Sequence, residues 1–341
     1  MIDPFHRLAP FIREYIYAHQ WTELRAVQVE ACRVIFETDS HLVLATGTAS
    51  GKTEAAFLPV LTLLHERPAE SVGVLYIGPL KALINDQFAR LNDLLKEANI
   101  PAWHWHGDVS QSEKNKLLRN PRGVLQITPE SLESMLINKT SALPRLFGDL
   151  RFIIIDEVHI FMGSDRGRQI QCHLQRLSKY FRQSPRRIGL SATLGDYTQA
   201  EHWLAAGTER NVMTPRVSQG QQKIRLAFEY FQQAGDGDAA ESATNIVSAD
   251  PYFRYLYEQT KSSKAIIFTN SRMQTETVIA SLRQIADAER SPDIYHVHHG
   301  SIAAPLREAA EEAMRDPERP SVAAATVTLE HFHSYCIPYP Q

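Results

Sequence analysis

The octapeptide Thr46-Gly47-Thr48-Ala49-Ser50-Gly51-Lys52-Thr53 sets a lysine and a hydroxyl residue directly behind a run of small residues. Small residues let successive backbone N–H groups close around phosphate oxygens, with Lys52 supplying a cation for the β and γ phosphates and the Thr53 hydroxyl a ligand for Mg²⁺. The strict form of such a loop has glycine where this chain has Thr46, so the loop is a variant. Further on, Asp156-Glu157-Val158-His159 follows the apolar run FIII. Adjacent acids at a strand end are often merely solvated. Paired with a phosphate loop, Asp156 is suited to hold Mg²⁺, directly or through water, and Glu157 to orient and deprotonate an attacking water.

The elements that must hold these residues are legible as a rhythm. Short apolar runs at 41 to 45, 72 to 78, 124 to 128, 152 to 156 and 187 to 191 alternate with segments whose apolar residues recur every three or four positions, as from Lys52 to Glu66 and from Leu80 to Ala98. This is the βαβ alternation of a parallel, doubly wound sheet, whose buried strands read as continuous apolar runs. Ligands in such sheets sit at the carboxyl ends of the strands, where both candidate motifs fall. RLAFEYF (225 to 231) reads as a new strand and AGDGDAAESA (234 to 243) as a surface loop. A second series follows: strands at 265 to 269, 293 to 298 and 321 to 327, with helices from Arg272 to Ala286 and from Pro305 to Arg315. The expectation is an α/β chain of two lobes, residues 1–215 and 220–330, with 331–341 as an aberrant tail.

Bulk composition narrows the class. The chain of 341 residues is long enough for two domains, and 43% hydrophobic with 22% charged residues argues against wholesale disorder. A net charge of −3 gives no global basic field, so any nucleic-acid binding has to come from local grooves and main-chain donors. Cys32, Cys172 and Cys336 are far apart and form no C-x-x-C pair, which fits unpaired thiols in a reducing compartment. No apolar window approaches bilayer length and the N-terminus lacks a signal pattern, so the expected setting is the cytoplasm, with no membrane partner.

With these residues in view, the chain resembles the superfamily 2 helicases of the DEAD/DEAH type, here with a DEVH box, and within them the large bacterial Lhr-like and YprA-like helicases. The resemblance runs through nearly the whole chain in order. It implies ATP and Mg²⁺ as cofactors and DNA or RNA as partner, single-stranded or duplex with an overhang, gripped across two RecA-like lobes. Gln28 in WTELRAVQ matches the adenine-reading glutamine, and Thr46 to Thr53 the nucleotide loop. Asp156, Glu157 and His159 match the box that acts with Lys52 in catalysis, Thr53 and Asp156 being the metal ligands. Pro79 and Lys81 in GPLKALINDQ, Thr128 and Pro129 in TPE, Gly107, Asn270 in IIFTNSR and Gly300 in HHGS match strand-contacting motifs. Ser191-Ala192-Thr193 matches the motif that couples nucleotide state to strand movement.

Several of these are weak alone, since Thr-Pro-Glu is an ordinary helix start and Lys81 is equally a solvated surface lysine. Trp103 and Trp105 in PAWHWHGD are candidates for base stacking, but aromatics alternating with histidine favour packing of a half-buried strand. His104, His106, His296, His298 and His299 show no metal spacing and read as structural or surface residues. The family pattern continues from ATVTLE into a Gly-Ile-Asp motif and then an arginine-rich motif VI. Here HFHSYCIPYPQ follows instead, so a second lobe truncated before motif VI is expected. Loss of those arginines puts hydrolysis by this chain in doubt and leaves a nonhydrolysing nucleotide- and nucleic-acid-binding fragment, or a duplex translocase, as alternatives.

Overall fold

The computed structural model describes residues 3–47, 50–80, 84, 91–92, 94–107, 109–217, 225–231, 250–316 and 318–326. The chain divides into two compact units, residues 1–221 and 222–341.

In the first unit, seven strands among the described residues form one sheet. They are β1 (His41–Ala45), β2 (Val72–Ile77), β3 (Ala102–Trp105), β4 (Gly123–Ile127), β5 (Phe152–Ile155), β6 (Arg186–Ser191) and β7 (Val212–Met213), in the order β3-β4-β2-β5-β6-β1-β7. Every pairing is parallel. The continuous apolar runs are explained by burial on both faces, since β2, β4 and β5 are buried at every position. Val74 and Tyr76 enter a core built with the helices Pro10–Ala18, Ala26–Glu37 and Lys52–Glu66. Leu75 and Ile77 enter the opposite core, with Pro129–Asn138 and Asp165–Leu177. Trp105 packs into this second core with Lys114 over its ring, and the Trp103 indole donates to the Arg122 carbonyl at 2.8 Å. Both therefore serve packing, as their alternation with histidine implied.

Two arginines at the start of β6 fasten helix ends to the sheet. Arg186 donates to the carbonyls of Val34, Ile35 and Ser40, at the carboxyl end of Ala26–Glu37. Arg187 donates to Leu204 and Ala206, at the end of Tyr197–Ala205. Both add donors to carbonyls at or just past a helix's last turn, Val34 O also accepting from Thr38, and place positive charge at its negative pole.

The second unit holds β8 (Lys264–Thr269), β9 (Tyr295–His298) and β10 (Ser321–Thr326), parallel and ordered β8-β10-β9 among the described residues. Helices Pro251–Thr260, Arg272–Ala288 and Ala304–Arg315 accompany them, the first unforeseen in the sequence. RLAFEYF departs from expectation: residues 225–231 form no strand, and Leu226 and Phe228 are 93% and 94% exposed. Alternation encodes one apolar face, whereas a strand also needs a neighbour to accept its hydrogen bonds. The tail at 331–341 and the loop at 234–243 lie outside the described residues.

Candidate nucleotide and strand site

The carboxyl ends of neighbouring strands begin the candidate loops, and backbone bonds fix where each begins. Thr46 N donates to Ser191 O at 3.2 Å, Asp156 N to Ile77 O at 2.9 Å and Gly78 N to Ile127 O at 3.1 Å. The sheet order thus sets Gly107, Thr128, Pro79, Asp156, Ser191 and Thr46 along one edge, Ser191 as the last residue of β6 and each of the others just past the end of its own strand.

Between β1 and the Lys52–Glu66 helix the phosphate loop is held by its own side chains. Thr46 Oγ1 and Ser50 Oγ share a hydrogen bond of 2.6 Å, which gives the glycine-replacing Thr46 a structural use. Gly51 has φ +80°, a conformation costly to any residue with a Cβ. A methyl group there would also lie 3.0 Å from Gln28 Nε2. Gln28 is buried beside the loop, and its Oε1 accepts from Arg25 N at 2.9 Å. Lys52 and Thr53 open a fifteen-residue helix, whose first N–H groups and dipole favour an anion. Lys52 Nζ donates to the carbonyls of Thr46 at 2.7 Å and Gly47 at 2.9 Å. Burial lowers its pKa, an effect opposed by Glu157, Asp156 and Glu54. Thr48 and Ala49 lie outside the described residues, as does Lys81.

Asp156 and Glu157 follow β5 directly. Asp156 is buried and its pKa is pushed up to about 6, by burial first and by the Glu157 charge second. Three contacts work against that rise: the Tyr76 hydroxyl donates to Asp156 Oδ2, Glu157 N donates to Oδ1 at 3.0 Å, and Lys52 lies near. Glu157 has φ +49°, left-handed backbone that a non-glycine residue pays roughly 1 kcal/mol or more to adopt. Such strain collects at sites where a side chain must be aimed. His159 Nδ1 lies 3.3 Å from Glu157 Oε2 and 3.0 Å from Ser191 Oγ. Because Ser191 Oγ gives its own proton to Thr193 O at 2.7 Å, the network assigns the proton on that side to His159 Nδ1. His159 thereby connects the Asp156–Glu157 pair to the segment Ser191-Ala192-Thr193.

Along the other half of the edge, Thr128 caps the Pro129–Asn138 helix, its Oγ1 accepting from Ser131 N at 3.3 Å. The Pro79 carbonyl accepts from Arg166 Nη2 at 2.8 Å. Asn270 and Gly300 belong to the second unit, just past β8 and β9, and Asn270 N donates to Gln274 Oε1 at 3.1 Å. The neighbouring His298 and His299 pair with Glu311 and Glu276. Sequence reasoning passed over Tyr76 and Arg166, both common residue types whose contacts lie far off in the chain. An apolar strand carrying one hydroxyl was the available signal for Tyr76.

The family profile described as DEAD/DEAH box helicase matches residues 25–201, more than half of the chain. The chain belongs to the DEAD/DEAH box helicase family. It is 30% identical to the Lhr helicase/uracil glycosylase of Escherichia coli K12, over 94% of this chain and 24% of that protein. It is 25% identical to the ATP-dependent helicase YprA of Bacillus subtilis, over 88% of this chain and 38% of that one. Among solved structures, the Mycobacterium smegmatis helicase Lhr bound to ssDNA and AMP-PNP superimposes with a TM-score of 0.73 at 27% identity, covering 96% of this chain and 42% of that chain. This chain thus spans about a quarter to two fifths of these relatives.

The family implies a nucleotide, typically with Mg²⁺, and the residues fit both. The Thr53 hydroxyl and Asp156 carboxylate are hard oxygen donors of the kind Mg²⁺ prefers. The helix N-terminus, the loop closed by Gly51 and the Lys52 ammonium make an anion cradle beside Gln28. Among the described residues no helix is long and apolar enough to cross a membrane.

Proposed function

We propose that this chain carries the ATP-dependent motor of a DNA helicase, taking ATP with Mg²⁺ at the first unit and a nucleic-acid strand along the loops that begin at Pro79, Gly107 and Thr128, with Asn270 and Gly300 as the strand-contacting residues of the second unit. The observation that carries this reading is the convergence of Lys52, Thr53, Asp156, Glu157 and His159 at the carboxyl ends of β1 and β5, with the Ser191 hydroxyl 3.0 Å from His159. DNA is preferred to RNA because the Lhr relative of known structure carries ssDNA. A setting in cytoplasmic DNA repair accords with the Escherichia coli relative, whose name joins a helicase to a uracil glycosylase.

In this reading Gln28 contacts the adenine edge, while the loop amides and Lys52 hold the phosphates. Thr53 and Asp156 hold the metal ion, which supplies charge neutralisation for the transferred phosphoryl group. Lys52 exchanges the Thr46 and Gly47 carbonyls for phosphate oxygens. Glu157, fixed in its left-handed backbone, accepts a proton from the attacking water, and His159 Nδ1 orients that carboxylate. Ser191 receives the resulting displacement through His159 and passes it to the Thr193 segment.

The test is phosphate release from ATP with and without single-stranded DNA or RNA, alongside binding of a fluorescent ATP analogue, for the wild type and Glu157→Gln. DNA-stimulated turnover that Glu157→Gln removes while nucleotide still binds is the expected outcome. Binding with no turnover in the wild type would reduce the chain to a nucleotide-binding module, and no binding at all would end the proposal.

A further inference from the structure

One guanidinium touches both strand-facing loops and the helix that follows the Asp156–Glu157 pair. Arg166 Nε donates to Glu130 Oε1 at 2.8 Å, and Nη2 donates to the Pro79 carbonyl at 2.8 Å. Its Cζ lies 5.5 Å from the centre of the Phe161 ring, at the end of the Val158–Phe161 helix. Pro79 follows β2, Glu130 stands in the first turn of the helix capped by Thr128, and Phe161 lies four residues past Glu157.

The place of Arg166 is itself tightly determined. Ser164 Oγ donates to Phe161 O at 2.7 Å and accepts from Gly167 N at 3.1 Å, so it caps the Asp165–Leu177 helix and ties it back to the preceding one. Gly167 closes the joint, because a Cβ there would sit 1.9 Å from Phe161 O. The two helices meet backbone to backbone, and Arg166 is carried by that contact.

We propose that Arg166 is a positioning residue for the nucleic-acid site, setting the spacing between the Pro79 and Thr128–Glu130 loops and referring both to the segment that follows Glu157. The inference rests on the strand site assigned above. Backbone bonding already fixes the loops where they leave the sheet, through Gly78 N and Ile127 O. Arg166 fixes them one and three residues further out, where phosphate contacts would be made. A planar fork can hold a carbonyl and a carboxylate together while stacking on a ring, whereas an ammonium acts as a point charge. The pair with Glu130 is half-exposed, and such ion pairs add little to stability, so its removal should loosen the loops rather than unfold the unit.

The experiment measures anisotropy of a fluorescein-labelled oligothymidylate, titrated at several salt concentrations, for the wild type, Arg166→Ala, Arg166→Lys and Glu130→Gln. Binding of a fluorescent ATP analogue serves as the control for folding. Arg166→Ala and Arg166→Lys should both weaken oligonucleotide binding by about tenfold, leaving ATP affinity and the salt dependence as in the wild type. Glu130→Gln gives the sharpest sign. Removing an acid beside a polyanion strengthens binding if only the field matters, whereas loss of positioning weakens it. Overturning results are tighter binding by Glu130→Gln, wild-type affinity in Arg166→Lys, or no change in Arg166→Ala. A salt slope reduced by about 0.7 in Arg166→Ala would make Arg166 a direct phosphate ligand and also overturn the inference. If Arg166→Ala fails to fold, Arg166→Lys and Glu130→Gln still decide. A wild type that binds no oligonucleotide would instead remove the strand-site reading, and this inference with it.

Discussion

Replacing Lys52 by alanine tests the nucleotide cradle most directly, and the structure sets the size of the effect. The ammonium is not idle before nucleotide arrives, since it donates to the Thr46 and Gly47 carbonyls at 2.7 and 2.9 Å. Binding therefore exchanges two contacts with neutral carbonyls for contacts with charged phosphate oxygens. Both sets are charge-assisted through the ammonium, the carbonyl bonds near the lower end of about 1.5 to 3 kcal/mol each and the bonds to charged phosphate oxygens near the upper end. The net gain over two bonds is then about 2 to 3 kcal/mol, well below the value of two new charged contacts. Lys52→Ala should raise the Kd for ATP about 30- to 150-fold. The assay is a fluorescence titration with methylanthraniloyl-ATP in Mg²⁺, repeated with the diphosphate. The diphosphate should lose less, because it offers no γ oxygens. Affinity for the triphosphate within about threefold of wild type, in a variant with an unchanged melting temperature, would refute the assignment of Lys52 to the phosphates.

Two further outcomes concern the scaffold beneath the site. His41, at the start of β1, accepts from Arg187 N through Nδ1 and contacts Thr208 Oγ1 through Nε2 at 2.8 Å, and burial, aided by Arg187, Arg210 and Arg186, depresses its pKa to about 4. The unfolded chain takes up a proton near the ordinary value of 6.5 and the folded chain does not, so His41 should cost no stability above pH 6.5 and a growing amount as pH falls toward 4; melting curves of wild type and His41→Gln over that window should differ in slope, and equal slopes would count against it. Arg186→Met strips donors from the Val34, Ile35 and Ser40 carbonyls, and a loss of about 2 to 3 kcal/mol should lower the melting temperature by about 4 to 12 °C, while a change below about 1 °C would show that the clamp is dispensable.

What the sequence discloses about this site follows from which contacts are local. The phosphate loop and the DEVH residues are legible because each uses adjacent residues whose spacing the chemistry dictates. The strand ends are legible because buried parallel strands must be continuously apolar. The two helices beginning at Pro4 and Pro10 both carry proline in the first turn, a start signal present in the sequence. RLAFEYF departs from its pattern for the opposite reason, since its alternation is real but the pairing that makes a strand is a property of a neighbour. Tyr76 and Arg166 were out of reach. Tyr76 meets Asp156 across 80 positions and Arg166 meets Pro79 across 87, and neither type is unusual where it stands.

That division has a physical consequence for how the site can vary. The bonds from Thr46 N to Ser191 O, Asp156 N to Ile77 O and Gly78 N to Ile127 O are main-chain bonds, indifferent to side-chain identity. They place every loop at the same edge in any sequence that keeps the sheet. Among the described residues, the relative setting of the loops beyond that edge depends on three side-chain ties: Tyr76 to Asp156, His159 to Glu157 and Ser191, and Arg166 to Pro79 and Glu130. The first two lie within the nucleotide half and the third joins the strand half to it through Phe161. Substitutions in Tyr76 or His159 should therefore alter nucleotide handling first, and those in Arg166 oligonucleotide binding first. Variants that altered both together by equal amounts would mean that the ties act as one rigid block rather than as separable joints.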